Sequence, residues 1–296
     1  MLVNFLLPRL MPGDPIIYLL GEDVFAYGPE VIEEFREKFG LNRPLHEQFM
    51  IYLWNLLHGD LGYSFSYGAP ISSLIMDHLP RTLMITLPAM IIASIIGCFL
   101  GAWCSWRLWE NRKRTTSLLM LIFYSTPPYW TGMIFLLVFA LHLRIIPPAP
   151  SIDANPLLQA IYILLLIATL LVYLIPFNAI IMKSLVTKFS EEAFVLTAVS
   201  KGLRNSRFIA RHLIKPALPS YITLLAIEFA FAFSGSLFVE VIYSWPGMGL
   251  LMWNAVNARD YPLIQSVFTL TALVVIVANA IADFMIIYLD PRIKGE

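Results

Sequence analysis

Charge is scarce in this sequence. Asp, Glu, Lys and Arg make up 14% of its 296 residues, hydrophobic residues make up 58%, and mean hydropathy is positive. That balance excludes a soluble domain and points to an integral membrane protein. Cysteine is nearly absent. Its two copies, Cys98 and Cys104, fall inside one apolar run, where packing accounts for them better than a disulfide or a metal site. The five histidines (His46, His58, His78, His142 and His212) are scattered with no i, i+4 pair, which speaks against a zinc or nickel site. No glycine-rich loop carries the Lys-Ser or Lys-Thr needed to cradle a phosphate, so ATP hydrolysis on this chain is not expected. No catalytic constellation stands out, and nothing suggests nucleic acid as a partner. A net charge of zero says little, because the charge is segregated along the chain.

What is present is a series of apolar runs long enough to span a bilayer: Leu83–Trp106, Thr115–Leu143, Pro156–Met182, Pro216–Tyr243 and Leu263–Leu289. The connections between them differ sharply in basic residues. Four Lys or Arg fall in 107–114, seven in 183–215 and two in 292–294, thirteen of the chain's twenty. The positive-inside rule makes these the cytoplasmic segments, with a cytoplasmic C-terminus. Residues 13–80, the one sizeable polar region outside the loops, then lie outside. There Pro29–Phe39 and Pro44–Leu57 carry apolar residues at helical spacing, Gly40 is a helix stop, a glycine turn runs from Gly59 to Gly62, and a further helical stretch runs from Gly68 to Leu79. Two or three amphipathic helices capping the outer mouth are expected, as a docking surface or as packing. Residues 1–12, at ~1.5 Å per residue, reach about 18 Å and fall short of the ~30 Å hydrocarbon layer. They look like the remnant of a first transmembrane helix.

The basic loop from Lys183 to Pro219 is the most patterned stretch. Ser190 offers a cap, Glu191 and Glu192 suit a helix N-terminus, and Phe194, Val195, Ala198 and Val199 recur at helical spacing. Gly202 is a plausible left-handed stop, Asn205 or Ser206 can cap a second helix over Arg207–Ile214, and Pro216 and Pro219 are expected to end it. Topology alone needs charge, not a helix–glycine–helix. The sequence Leu196-Thr197-Ala198-Val199-Ser200-Lys201-Gly202-Leu203, closed by Leu218-Pro219, resembles the coupling segment of ABC importer permeases, without that family's signature glutamate.

Further stretches carry the resemblance to the dipeptide/oligopeptide (and nickel) branch of binding-protein-dependent permeases. They are Arg9–Pro15, Gly40–Leu45, Gly59–Gly62, Ser125–Gly132, Tyr243-Ser244-Trp245-Pro246-Gly247-Met248-Gly249, Arg259-Asp260-Tyr261-Pro262 and Leu289-Asp290-Pro291-Arg292. The resemblance implies an all-α, polytopic helical bundle with a MetI-like permease core, five full spans and a truncated first helix. It implies an extracytoplasmic segment 13–80, a transmembrane domain 81–290 with the coupling loop 183–219, and a cytoplasmic tail 291–296. It implies a multi-pass subunit of a prokaryotic inner or plasma membrane that provides half of a peptide path. The expected partners are a second homologous permease subunit, two ABC ATPase subunits carrying ATP and Mg, and an extracytoplasmic solute-binding protein. Phe194, Thr197, Ala198, Gly202, Leu203 and Arg204 would form the ATPase contact, and Trp245, Pro246, Gly247 and Gly249 an outer turn.

Carboxylates inside spans are costly and must face protein or water. Glu228 and Asp283 qualify. Glu228 either lines the solute path, the reading favoured here, or bonds a neighbouring helix, and Ser234 and Ser236 either join that path or serve close helix packing. Asp283 either lines the path or makes a structural bond. Glu240 reads as interfacial, as do Trp245 and Tyr261. Pro88, Pro127-Pro128 and Pro176 read as interruptions of helices. Two other functions remain open on the sequence: the same machine carrying nickel or another small solute, and a carrier that needs no ATPase. The second predicts internal repeats or charge pairs across spans, which the sequence does not show.

Overall fold

A computed structural model describes residues 1–10, 29–38, 40–105, 110–149, 155–189, 192–200, 208–231 and 237–289. These are helical almost throughout. In chain order they form α1 (Leu2–Arg9), α2 (Pro29–Lys38), α3 (Leu45–Leu57), a two-residue antiparallel hairpin β1 (Tyr63–Ser64) and β2 (Ala69–Pro70), α4 (Ile71–Ser105), α5 (Glu110–Ser125) and α6 (Pro128–Leu136). After α6 come a π-helical turn, Leu137–His142, then α7 (Pro156–Phe189), α8 (Ala193–Ser200), a second π-turn, Ile209–Ile214, and α9 (Lys215–Phe231). The last elements are α10 (Leu237–Ile242), α11 (Met248–Asn257) and α12 (Tyr261–Leu289).

Among the described residues, α4, α7 and the Tyr261–Ile281 part of α12 are long and apolar enough to cross a membrane. A fourth span results if α5 and α6 are counted as one, although the chain bends there by 85° between Ser125 and Pro128. The second apolar run is therefore broken, because Pro127 and Pro128 supply no amide hydrogens to a helical ladder. The run over 216–243 divides into α9 and α10, on either side of 232–236, which lie outside the described residues. Pro88 and Pro176, by contrast, are carried inside α4 and α7.

The stretch 68–79 is not a separate helix. Gly68, at φ +59°, closes the hairpin, and α4 starts at Ile71 and continues into the first full span. With 35 residues at ~1.5 Å each, α4 is about 50 Å long, well beyond the ~30 Å hydrocarbon layer. No glycine falls between Ile71 and Ile96 to stop it. The helix after the second π-turn likewise does not end at its prolines. Pro216 lies in the first turn of α9, where a missing N–H is harmless, and Pro219 stands inside the helix close to the wider π-turn.

The chain divides into two compact units, Met1–Arg81 with Pro246–Leu273, and Thr82–Trp245 with Val274–Glu296. In the first, α1 lies against the start of α12. Asn4 Nδ2 donates to the Gln265 carbonyl (2.9 Å) and Thr269 Oγ1 (2.8 Å), and Gln265 Nε2 returns a bond to the Phe5 carbonyl. Phe5 is buried edge-on to Phe49 of α3, under the Arg9 guanidinium 3.6 Å from its ring centre. The core of the second unit joins α4, α6, α7 and α10 around Ile85, Leu166, Tyr162 and Tyr243. A neighbouring cluster gathers Cys98, Met182, Val195, Phe208 and Tyr221. Both cysteines are buried thiols that pack.

Gly97 and Gly101 allow α4 to reach α7. A Cβ on Gly101 would stand 2.3 Å from the Ala179 carbonyl oxygen, and one on Gly97 would stand 2.5 Å from Asn178 Cβ. The Gly-x-x-x-Gly spacing puts both on one helix face, so the two backbones meet without intervening side chains.

Candidate functional site

The most distinctive site lies in the second unit, where α4, α7, α9 and α10 surround a cavity of about 590 Å³. Its walls are apolar: Met90, Leu170, Leu174, Ile181, Leu224, Ile227 and Leu237 among them. Tyr173 and Phe177 of α7 and Phe238 of α10 add aromatic surface, and Tyr173, Phe177 and Tyr124 stack on one another at 5.6–6.0 Å between ring centres. Residues four apart on a helix share a face, which is why Tyr173 and Phe177 occur together.

Glu228, on α9, is the one Asp, Glu, Lys or Arg among the described residues lining this cavity. Asn178 Nδ2 donates to both of its oxygens, at 3.1 and 3.2 Å, and also lies 3.0 Å from the Leu174 carbonyl. The amide is itself oriented. The Tyr221 hydroxyl is 2.8 Å from Asn178 Oδ1 and 2.9 Å from the Ser94 carbonyl, so one proton is shared between two acceptors. Asn178 is fully buried and Tyr221 nearly so. Three helices thus aim one amide at one carboxylate. Of these residues the sequence singles out Glu228 alone. Asn178 and Tyr221 read there as ordinary members of apolar runs, and nothing in their local pattern marks them.

Glu240, read from the sequence as interfacial, has a protein partner. It is fully buried in α10 and accepts a hydrogen bond from Thr82 Oγ1 at 2.9 Å. Trp245 and Tyr261 are also buried within the protein, at 4% and 6% exposure. Trp245 stacks on Tyr162, whose hydroxyl donates to the Tyr243 carbonyl at 2.5 Å, and the Tyr243 hydroxyl pairs with Thr169 Oγ1. An indole or phenol ring buried by such partners gains more than it would at the surface. Pro246 and Gly247 lead into α11, with Gly247 at its N-cap and Gly249 buried in its first turn. The left-handed position of this turn falls on Ser244, at φ +50°, and not on a glycine.

In the first unit, a more polar cavity of about 540 Å³ is lined by Arg9, Glu37, Arg43, Gln48, Asn55 and Asp60 among others. Next to it in sequence, Asp260 gathers the chain. Its Oδ2 accepts from Ser64 Oγ (2.5 Å), Ser66 N (2.9 Å) and Ser66 Oγ (2.8 Å), and its Oδ1 from Leu263 N (3.2 Å). The Arg-Asp-Tyr-Pro motif therefore caps α12 and ties it to the hairpin.

Around the basic loop, α8 is formed over Ala193–Ser200 and carries Phe194, Thr197 and Ala198. Thr197 is exposed and its hydroxyl turns back to the Ala193 carbonyl, while Val195 is buried in its own unit. Ser190 and Glu191, and Gly202, Leu203 and Arg204, lie outside the described residues, as do Ser234, Ser236 and the tail 291–296. Asp283 is on α12, but its side chain is outside the description.

The sequence matches the family described as "Binding-protein-dependent transport system inner membrane component" over residues 93–295, and that family's N-terminal component over residues 1–86. It is 30% identical over 298 residues to a putative peptide transport system permease protein of Brucella suis biovar 1, covering 100% of this chain and 94% of the relative. It is 27% identical over 321 residues to the dipeptide transport system permease protein DppB of Escherichia coli K12, again covering 100% and 94%. A probable peptide ABC transporter permease protein of Sinorhizobium fredii is 30% identical over 98% of this chain. A family match over most of the chain, joined to a helical membrane bundle, makes this protein a member of the binding-protein-dependent transport system inner membrane components.

Proposed function

We propose that this chain is the permease subunit of an ABC importer for peptides. The observation that carries the reading is end-to-end similarity to proteins named as peptide and dipeptide permeases, covering the whole chain and 94% of the relatives. The chain provides half of a translocation path beside a second, homologous permease subunit. A solute-binding protein delivers the peptide to the outer side, where segment 13–80 lies. Two ATPase subunits bind ATP and Mg beneath the cytoplasmic loop 183–219, and the tail 291–296 is cytoplasmic too. ATP-driven closure of those subunits acts on α8 and the residues after it, through Phe194, Thr197, Ala198, Gly202, Leu203 and Arg204. Glu228, Ser234, Ser236 and Asp283 belong to the path, and the turn from Trp245 to Gly249 faces the outer side.

The charge distribution supports this orientation. So does the form of α8, a short helix with an exposed Thr197 between two basic stretches. The experiment is co-purification with a single variant. From cells expressing the whole transporter, the wild-type chain brings down two ATPase subunits. Ala198→Asp puts a charge into an apolar contact, which costs ~2 kcal/mol or more, and should lose both the ATPases and peptide uptake. Wild-type uptake and ATPase recovery with Ala198→Asp would show that this loop is not the coupling element.

A further inference from the structure

We propose that Glu228 is the counter-charge for a cationic amine: the N-terminal ammonium of a transported peptide, held in the 590 Å³ cavity with its apolar side chain against the α7 wall. This rests on the peptide-permease reading. Four observations carry it.

The first is the contrast between the carboxylate and its surroundings. A charge within a membrane-spanning bundle is expensive unless it is paired, and here the other lining residues among those described are apolar, aromatic or, at Thr86, hydroxylic. The second is that Glu228 is incompletely used. One amide nitrogen serves both oxygens, and among the described residues no Lys or Arg pairs with them. A carboxylate has about four acceptor sites, so it keeps room for a donor with several hydrogens, which an ammonium is. The third is that the amide is locked by Tyr221, the Ser94 carbonyl and the Leu174 carbonyl. A fixed carboxylate is a preorganised partner, whereas a freely rotating one would lose affinity on being ordered. The fourth is the aromatic wall: Tyr173 and Phe177 line the same cavity, and π-surface beside a carboxylate suits an ammonium.

The same wall defines what the site refuses. No Lys or Arg lines it among the described residues, so the peptide's own carboxylate is not met there. The solute lies with its amino end at Glu228 and its carboxylate directed away, and its first side chain sits among Leu170, Leu174 and Phe177. A peptide with an acidic first side chain should be the poorest fit.

The test uses intact cells carrying the whole transporter, with radiolabelled L-alanyl-L-phenylalanine as probe. Glu228→Gln keeps the size and the hydrogen bond from Asn178 but removes the charge. It should lower uptake about 10-fold or more, as expected when a desolvated charge loses its partner. Both the second permease subunit and the ATPases should still co-purify. Glu228→Asp restores the charge and should recover uptake at least in part. Three results overturn the proposal: wild-type uptake with Glu228→Gln, Glu228→Asp no better than Glu228→Gln, or loss of the second permease subunit with Glu228→Gln. In the last case the carboxylate would bond a neighbouring subunit instead of the solute. Failure of the permease reading is separate, since there cells lacking this chain take up the probe as well as cells carrying it. If Ala198→Asp abolishes uptake and Glu228→Gln does not, only the amine site falls.

Discussion

The two compact units are held together by different chemistry. In the unit of Met1–Arg81 with Pro246–Leu273, distant segments are joined by polar side chains: Asn4 with Gln265 and Thr269, Tyr52 with Thr269, Ser266 with the Leu61 carbonyl, and Ser64 and Ser66 with Asp260. In the unit built on Thr82–Trp245, the main contacts are apolar side chains and the direct approach of α4 to α7 at Gly97 and Gly101. Element length accounts for much of the difference. Short helices and a two-residue hairpin bury too little apolar area to order themselves, so directional bonds do that work. Long apolar helices in lipid gain nothing from hiding greasy surface, because lipid is equally greasy. Close packing and a few internal hydrogen bonds hold them instead.

The sharpest way to break this contrast is at Gly101. A valine there would place Cβ 2.3 Å from the Ala179 carbonyl oxygen and about 2.9 Å from Lys183 N and Met182 Cβ. Two of those three atoms are backbone, so rotamer changes cannot relieve the clash and the helices must separate. Overpacking of this kind costs ~1–3 kcal/mol where side chains can yield and more where they cannot. Gly101→Val should leave little folded protein in the membrane, and thermal unfolding of the detergent-purified complex reads the loss. Normal yield and melting would mean that close backbone approach does not hold this unit.

Asp260→Ala tests the polar unit with a smaller effect. It removes the acceptor for Ser64 Oγ, Ser66 N and Oγ, and Leu263 N. Unpairing buried donors, with some relief from water, gives ~2–4 kcal/mol. The loss should be local: hydrogen exchange at residues 63–70 and at the start of α12 speeds up, while α7 is unchanged. Equal loosening of α7 would show that the two kinds of cohesion are not separable. Asp260→Asn, which keeps part of the acceptor capacity, should fall between.

The legible part of the molecule is the part built from period and length. Apolar runs mark α4, α7 and α12, spaced apolar residues mark α2 and α3, and glycines mark the turns at Gly40, Gly59 and Gly62, all of which have positive φ. What was not legible depends on partners far apart in sequence. Glu240 looked like a surface residue because Thr82, 158 positions away, gives no local sign of meeting it. Asp260 belonged to a recognisable motif, yet its partners Ser64 and Ser66 lie 196 and 194 positions away. Gly97 and Gly101 could have been found from their spacing alone. The left-handed residues Arg144, Ser244 and Arg259 could not, because the sequence marks such positions only when they are glycine. The Ser125–Pro128 break looked like a kink, since a proline pair gives no angle. Of the sites, Glu228 was found as a costly charge, but the amide and phenol that hold it were hidden within apolar runs.

That amide and phenol make the subtlest test, because they are the polar exception inside the apolar unit. Tyr221→Phe keeps the ring in its cluster with Met182, Val186 and Phe208 and removes only the hydroxyl. Asn178 Oδ1 and the Ser94 carbonyl then lose a donor at 2.8 and 2.9 Å. The expected loss in stability is modest, ~1–2 kcal/mol for a buried bond with a shared proton. A melting temperature lowered by a few degrees in detergent would read it. The informative part is what happens at Glu228. With Tyr221 gone, Asn178 keeps the Leu174 carbonyl and the carboxylate as acceptors but loses the bond that orients its far side. The carboxylate keeps its charge and loses its rigid mount. Peptide uptake should therefore fall severalfold, less than with Glu228→Gln, and half-saturation should move more than the maximal rate. If Tyr221→Phe lowers stability as expected but leaves the concentration dependence of uptake unchanged, the network is a packing device like the rest of its unit.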